Sequence, residues 1–288
     1  MRPATSTIAQ ARLREIVDSE TLAKFPITAE ELGRTVVVVR SSALASTDGD
    51  ACVQQICPWM SPWTAHDKWF GGRWTCEISD RTNYYSTGEL LRFLAFHTDM
   101  SRYAEPPEFV TIRCVRPDPA GPSFGRNYFL HIDDVRERLQ RTGRDDIMAV
   151  LQRPRVLRSH SGDVDGVMML PPAGSSEPAR IYDAAAATTG EHLILEQGDR
   201  AVLSEFLILC RSWADLQIDV ALGENDWAVV SNHRWMHARG ECQSVGRVTE
   251  VYWGVRIKCR GESAPVGAAL RESSGESEGT CSSSGHLD

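Results

Sequence analysis

A chain of 288 residues is long enough for one large domain or two small ones. Its formal net charge of -8 argues against nucleic acid as the main partner, because phosphate binding needs a basic surface. No apolar run approaches the length of a membrane span, and the first seven residues lack the apolar core of a signal peptide. We therefore expect a cytoplasmic protein that acts on a small molecule, without nucleic-acid or membrane partners.

The cysteines give no sign of a metal or disulfide framework. The chain has eight of them, scattered, and no two have the two-residue spacer of a zinc-binding pair. Cys52 and Cys57 are the closest, and no matching pair follows them. In a reducing compartment we expect all eight to be free thiols.

The first third of the chain predicts two helices and one strand. Residues 8–18 carry apolar side chains at helical spacing and predict an opening amphipathic helix. Thr28 is expected to cap a short helix that ends at Gly33. Residues 36–39 are four valines, a β-branched run that is typical of a buried strand.

Residues 41–72 predict an aromatic-rich loop rather than regular structure. Trp59, Trp63 and Trp69 lie there among prolines and a Gly-Gly pair. Such a loop either lines a substrate pocket or packs over the core, and the sequence does not choose between these roles.

The middle of the chain predicts a strand over 108–115 and a short strand over 128–130. Asp133 or Asp134 is expected to cap a helix that stops at Gly143, and residues 145–152 predict another helical piece. Strands are then expected between 155 and 170, around a turn at Gly162-Asp163.

The last third predicts the longest helix, over about 197–213, followed by a half-buried strand over 216–222. The turn at 223–226 leads into Trp227–Val230 as a hairpin that delivers His237, and a final strand covers 247–257. Many strands with few helices favour a mainly β, α+β fold with a double sheet over alternating βαβ units. We expect a single domain over 1–260 and a disordered Gly/Ser/Glu-rich tail over 261–288.

The strongest chemical signal is Phe96-His97-Thr98-Asp99, read together with a second stretch from Asn232 to Arg239. In an extended strand, side chains two residues apart share a face, so His97 and Asp99 would aim an imidazole and a carboxylate in one direction. One more histidine would complete the facial triad of non-haem Fe(II) oxygenases, which leaves three metal positions for co-substrate and oxygen. His233 and His237 lie four residues apart, share a strand face and are rivals for that third position.

These motifs resemble those of the taurine dioxygenase and clavaminate synthase family of Fe(II)/2-oxoglutarate-dependent oxygenases. The resemblance runs from about residue 77 to residue 252 and includes His97-Thr98-Asp99 and the distal motif His237-Ala238-Arg239. It implies a jelly-roll (double-stranded β-helix) core that binds one Fe(II) through His97, Asp99 and His237. The His-Ala-Arg context favours His237 over His233.

The resemblance also implies an arginine after the distal histidine that pairs with the far carboxylate of 2-oxoglutarate, since its planar fork suits a carboxylate. Arg247 is the first choice and Arg256 the fallback. Where the family often has Gly-Gly-x-Thr beside the co-substrate, this chain has residues 121–127, Gly-Pro-Ser-Phe-Gly-Arg-Asn. Asn127 is placed at the threonine position, and Ser123 is the alternative.

Two further arginines are candidates for substrate binding. Arg180 begins the stretch Arg180-Ile181-Tyr182-Asp183, which fits the family pattern ahead of the long helix. Arg239 follows the distal histidine, and a structural ion pair is as good an interpretation of it as a functional one. Trp235 is expected to pack, and Asn232 to hold the end of a strand.

The chemistry that the resemblance implies is oxidation of an unactivated C–H bond, driven by O2 and by decarboxylation of 2-oxoglutarate to succinate and CO2. With Asp99 present, hydroxylation is expected, and desaturation or ring closure are the alternatives on the same scaffold. A non-catalytic jelly-roll binding protein, or one that uses another metal, is the competing class. Our hypothesis for the substrate is an amino acid or a biosynthetic intermediate, as in antibiotic assembly.

Overall fold

The computed structural model describes residues 11–64, 73–77, 93–158, 164–182 and 197–257. Several predictions fall outside these ranges: Ile8, Trp69, the Gly162-Asp163 turn and the tail over 261–288. The described residues up to Ile257 belong to one compact unit.

The described residues form six α-helices and one 3-10 helix (Ser41–Ala43), and the α-helices are short except the last. They are α1 (Ser19–Lys24), α2 (Ala29–Leu32), α3 (Gly49–Ile56), α4 (Ile132–Arg141), α5 (Asp145–Leu151) and α6 (Gln197–Ser212), among the described residues. Thr28 caps α2 by accepting a hydrogen bond from the Glu31 amide, and Gly33 ends that helix, as predicted. The predicted helices over 145–152 and 197–213 are also confirmed.

Thirteen strands supply the described sheets. They are β1 (Leu13–Ile16), β2 (Val36–Val39), β3 (Met60–Pro62), β4 (Arg73–Glu77), β5 (Leu94–His97), β6 (Phe109–Arg116), β7 (Asn127–His131), β8 (Arg155–Arg158), β9 (Val164–Met168), β10 (Ile218–Val220), β11 (Trp227–Ser231), β12 (Trp235–Arg239) and β13 (Val248–Arg256). Each strand predicted from alternation or from a β-branched run is confirmed, although β10 is shorter than expected.

Two sheets dominate the architecture, which is sheet-rich α+β. One has seven strands in the order β1-β2-β11-β6-β13-β3, with β4 also paired to β13, and the other has four in the order β10-β7-β12-β5. Side chains of both sheets meet in one apolar cluster, where Val38, Ile112 and Val230 of the larger sheet pack with Phe129 and Trp235 of the smaller. The two sheets therefore face each other across a shared interior.

The other face of the four-stranded sheet is covered by helices. Leu130 of β7 and Met236 of β12 pack there with Leu139 of α4, Ile147 of α5 and Phe206 of α6. Because neighbouring residues on a strand point to opposite faces, Trp235, His237 and Arg239 point into the space between the sheets while Met236 and Ala238 face the helices.

The opening helix predicted over 8–18 is wrong for residues 13–16. Residues 13–16 are β1, which pairs in parallel with β2, and Ile16 is fully buried. Arg14 on this strand donates to Glu31 of α2, which fixes the strand edge. A four-residue segment carries too few turns for its periodicity to separate helix from strand, so the sheet partner decided the outcome.

The prediction of an irregular loop over 41–72 is also wrong in part. Asp48 caps α3, whose buried Cys52, Val53 and Ile56 pack under the seven-stranded sheet, and β3 follows. The expected hairpin is wrong as well: β10 and β12 belong to the four-stranded sheet and β11 to the other, so the chain crosses between sheets twice.

The predicted cap of α4 is wrong, since His131 rather than Asp133 or Asp134 caps it, by accepting from the Asp133 amide. Gly143 follows that helix with φ of 65°, as its predicted role as a stop requires. Within the described ranges, no helix is both long and apolar enough to cross a membrane.

Candidate metal and co-substrate site

Strand pairing brings two histidines next to each other. β5 and β12 run antiparallel, and His97 is the cross-strand partner of His237. Their ring centroids lie 4.3 Å apart, and both side chains point into the space between the sheets. An antiparallel register thus joins two residues from distant parts of the chain on one face of one sheet.

Asp99 reaches the same place by a different route from the one its spacing predicts. Strand β5 ends at His97, so Asp99 lies in the following turn rather than on the strand. Its backbone is held by Asn232, which accepts from the Asp99 amide at 2.8 Å and donates to the Asp99 carbonyl at 3.0 Å. Met100 next to it has φ of 57°, a left-handed conformation that turns the chain sharply.

The three side chains form a compact donor set. Asp99 Oδ1 lies 3.4 Å from Nε2 of His97 and 3.4 Å from Nε2 of His237. Within the described part of the chain, these are the residues whose ligand atoms cluster, all within 4.8 Å of one another. Two ligands about 2.1 Å from one metal and at a right angle to each other would be about 3 Å apart, so the spacing fits a single ion.

Neighbouring groups orient His97 and set the protonation state of Asp99. Nδ1 of His97 donates to the Ala95 carbonyl at 2.8 Å, so Nε2 is the ring nitrogen that faces Asp99. Burial acts to raise the pKa of Asp99, but the His237 and His97 imidazoles outweigh it and hold that pKa well below its usual range. Asp99 is therefore ionised at neutral pH, the form that binds a cation.

Arg247 and Asn127 are both buried, each with 4% of its surface exposed. Arg247 precedes β13 and donates to Thr249, whose side chain shares a strand face with Trp253. Asn127 is the cross-strand partner of Arg239 on β12, and its amide nitrogen has no hydrogen-bond partner among the described residues. Their alternatives are elsewhere: Arg256 is half exposed and pairs with Glu30, and Ser123 is exposed.

Comparison with known proteins agrees with this geometry. The family model "Taurine catabolism dioxygenase TauD, TfdA family" matches residues 26–253, which is most of the chain. The chain belongs to this family. It is therefore an Fe(II)/2-oxoglutarate-dependent oxygenase, as the resemblance in the sequence implied. No relative was found among curated protein sequences.

Solved structures share the fold of this TauD/TfdA family member at low sequence identity. An asparagine oxygenase in complex with Fe(II), hydroxyasparagine and succinate is 17% identical with a TM-score of 0.55, over 82% of this chain and 78% of that one. A taurine dioxygenase from Burkholderia xenovorans is 14% identical with a TM-score of 0.52, over 88% of this chain and 95% of that one. The non-heme iron oxygenase OrfP, solved as a mutant with (3S)-hydroxy-L-Arg, is 14% identical with a TM-score of 0.50, over 82% and 79%.

The other residues singled out in the sequence of this family member have local partners. His233, the rival ligand, lies in the turn after β11, and its Nε2 donates to the Pro106 carbonyl, so it is not part of the donor set. Arg180 donates to the carbonyls of Tyr103 and Ala104, and these hydrogen bonds stabilise the loop after Asp99. Trp235 packs against His131 and donates to the Leu32 carbonyl, as expected of a packing residue.

Arg239 points inward from β12 and is buried. One of its terminal nitrogens donates to Cys242 Sγ at 2.7 Å. Burial raises the pKa of Cys242 although Arg239 and Arg247 both act to lower it, so the thiol stays neutral. The described residues thus give Arg239 a thiol partner.

Three residues next to the site are not among those that the sequence predicts: Gly125, Cys242 and Trp253. Gly125 has φ of 59°, and a Cβ there would lie 2.7 Å from Cδ of Arg247. The glycines of the 121–127 loop were a visible signal for that contact. Trp253 donates to Asp99 Oδ2 at 2.7 Å, although the two residues are 154 positions apart in the sequence. No local sequence pattern predicts this contact.

Proposed function

We propose that His97, Asp99 and His237 bind one Fe(II) in a double-stranded β-helix formed by the two facing sheets, within one catalytic domain over residues 1–260. The observation that carries this proposal is the cluster of two imidazoles and one carboxylate, all within 4.8 Å, in the interior between the sheets. Two nitrogens and one oxygen on one side of an ion leave the other side open, as co-substrate chemistry requires.

Arg247 and Asn127 are proposed to hold the 2-oxoglutarate. Arg247 is only 4% exposed, and its guanidinium is suited to pair with a carboxylate through two hydrogen bonds. Its contacts with Gly125 and Thr249 fix its position. Asn127 is 4% exposed and its amide N–H groups lack a described acceptor, which a carboxylate oxygen would supply. Arg239, next to Asn127 across the strands, is proposed to complete the positive wall that faces an anionic ligand.

The reaction we propose is hydroxylation of an unactivated C–H bond. When bound, the iron and 2-oxoglutarate supply the oxidising chemistry: one atom of O2 enters succinate, CO2 leaves, and the other oxygen atom enters the substrate. The chain's own residues hold the ion, orient the co-substrate and keep water out, since the donor set lies in a largely buried interior.

The substrate we propose is a free amino acid or a close derivative. Two of the similar structures carry a hydroxylated amino acid, hydroxyasparagine in one and (3S)-hydroxy-L-Arg in the other, and these names support the class without selecting a member. Arg180 is a weaker candidate for substrate binding than the sequence predicts, because its terminal nitrogens already donate to backbone carbonyls.

An anaerobic titration tests the metal and co-substrate site. Adding Fe(II) and then 2-oxoglutarate to the metal-free protein should produce a weak visible charge-transfer band that needs both additions and is absent from His97→Ala. Failure of the folded wild-type protein to give the band would contradict the proposal. Succinate release with a panel of amino acids then tests the substrate class, and turnover of simple sulfonates but of no amino acid would exclude it.

The role of Arg247 is tested with a matched pair of conservative substitutions. Arg247→Lys loses the bidentate fork, and the Kd for 2-oxoglutarate should rise at least about tenfold while Fe(II) binding is kept. Arg256→Lys is the control, because Arg256 is half exposed and pairs with Glu30 outside the site. Equal 2-oxoglutarate affinity in the two variants would remove Arg247 from the proposed site.

A further inference from the structure

We infer that Trp253 keeps Asp99 a one-oxygen ligand, an inference that rests on the proposed metal site. The two carboxylate oxygens of Asp99 have different partners. Oδ1 faces Nε2 of both His97 and His237 at 3.4 Å, while Oδ2 accepts a hydrogen bond from Trp253 Nε1 at 2.7 Å. The indole therefore binds the carboxylate oxygen other than the one that faces the two imidazoles.

The division of the two oxygens decides how many metal positions stay open. Carboxylates bind metals through one oxygen or through both. Two imidazoles and one oxygen use three of six positions, which leaves two for a chelating 2-oxo acid and one for O2. A second oxygen from Asp99 would take one of these three, so the co-substrate and O2 would compete for the remainder.

An indole N–H suits this task because it donates and cannot itself bind the metal. Its hydrogen bond to an ionised carboxylate is charge-assisted and therefore stronger than one between neutral groups. Trp253 thus holds Oδ2 without adding a ligand or a charge.

Trp253 is positioned rigidly enough to act in this way. It lies on β13 with 4% of its surface exposed, paired with Val110 of β6, and its carbonyl accepts from the Trp63 amide at 2.9 Å. The side chain reaches from the seven-stranded sheet to a turn that follows a strand of the other sheet. Asn232 holds the Asp99 backbone, so Trp253 and Asn232 fix different parts of the same residue.

The test is Trp253→Phe, which keeps an aromatic ring and removes the N–H. Binding of Mn(II) alone, followed by its EPR signal, should be unchanged or tighter, because Asp99 gains freedom to bind through both oxygens. The Kd for 2-oxoglutarate on the Mn(II)-loaded protein should rise about 10- to 100-fold, a loss as large as the one that removal of such partners typically causes in metal affinity or activity. A purely structural tryptophan would not separate these two constants.

Trp235→Phe is the matched control. Trp235 is fully buried and its Nε1 donates to the Leu32 carbonyl at 3.0 Å, away from the donor set. This variant should lose stability and keep both constants. Wild-type 2-oxoglutarate affinity in Trp253→Phe, or the same change in both variants, would overturn the inference. Wild-type protein that binds neither ligand would instead contradict the proposed function.

A measurement on the wild-type protein covers the case in which Trp253→Phe does not fold. Zn(II) is diamagnetic, so the indole N–H resonance of Trp253 can be followed by NMR as the metal is added. When Zn(II) binds, the indole N–H resonance should keep the chemical shift of a hydrogen-bonded group and its slow exchange with solvent. Loss of this resonance on binding would mean that Oδ2 of Asp99 releases the indole and binds the metal, and the inference would be wrong.

Discussion

Two consecutive strands, β11 and β12, show how similar burial serves different purposes. Each has five residues and every one of them is buried. On β11, Ala228 and Val230 point into the interior and the strand completes an apolar wall of the larger sheet. On β12, Trp235 occupies the corresponding place, but the next two inward positions are His237 and Arg239.

The difference lies in what the inward side chains meet. An imidazole or guanidinium removed from water is unfavourable unless polar groups receive it. His237 meets Asp99 and His97, and Arg239 meets Cys242 and lies across from Asn127. Burial alone therefore does not distinguish an apolar packing surface from a functional site. A row of buried polar side chains that face one another does.

The largest effect is expected from His237→Ala on β12. Loss of a ligand should abolish the charge-transfer band and reduce turnover below about one-thousandth of wild type. The metal-free variant should melt close to the wild-type temperature, because the imidazole removed belongs to the proposed metal site rather than to the apolar core. Thermal unfolding of both apo-proteins checks the second point, and a collapse of stability would mean that His237 is mainly structural.

Trp227→Ala on β11 should behave in the opposite way. Trp227 is fully buried against Val39 and Tyr252, and its removal should lower the free energy of unfolding by about 3–5 kcal/mol. Urea unfolding measures this loss. At temperatures where the variant is folded, its Kd for Fe(II) should match that of wild type. A tenfold weaker Fe(II) affinity would contradict the distinction between a structural β11 and a metal-binding β12.

His131 offers a buried histidine of the same sheet that is structural. Its Nε2 donates to the Gly33 carbonyl and its Nδ1 accepts from the Asp133 amide, and burial lowers its pKa to about 4, with Arg12 adding to the effect and Asp133 opposing it. The unfolded chain protonates first, near pH 6.5, so stability present above that pH is lost as pH falls toward 4. The loss is on the order of 2–3 kcal/mol.

The variant His131→Asn isolates this contribution from those of the carboxylates. Asparagine can still cap α4, so the fold should be kept. Wild type should be the more stable protein at pH 7.5, and its advantage should shrink between pH 6.5 and 4 in urea titrations. A constant difference across that range would show that His131 is not the titrating group.

The smallest effect is expected from Gly125→Ala beside the end of β12. The Gly125 amide donates to the Glu241 carbonyl, and an added Cβ would press on Cδ of Arg247. The left-handed backbone adds strain of about 1–2 kcal/mol. We expect 2-oxoglutarate affinity to fall several-fold, while Fe(II) affinity is kept.

Gly143→Ala is the control for that strain. Gly143 has φ of 65° and nothing within 4 Å of an added Cβ. It should lose similar stability and keep its 2-oxoglutarate affinity. If both glycine variants bind 2-oxoglutarate alike, the contact between Gly125 and Arg247 has no bearing on the site.

Most elements of this fold could be predicted from the sequence because their signals are local. The valine run of β2, the alternation of β6 and β13 and the Thr28 cap each depend on a few neighbouring residues. The signal failed at β1, where four residues are too few to separate a helix from a strand. It failed again at α3, because tryptophans and prolines around it resembled a loop.

By itself, the sequence determined the donor types, the order of the two motifs and hence the family, because motif residues are read directly from the chain. Only the tertiary structure decided that Asp99 lies in a turn, that His97 and His237 are cross-strand partners, and that Trp253 reaches Asp99. The physical reason is distance along the chain. Register and side-chain contacts between remote segments depend on which strands pair, and that pairing is settled by packing of the whole interior.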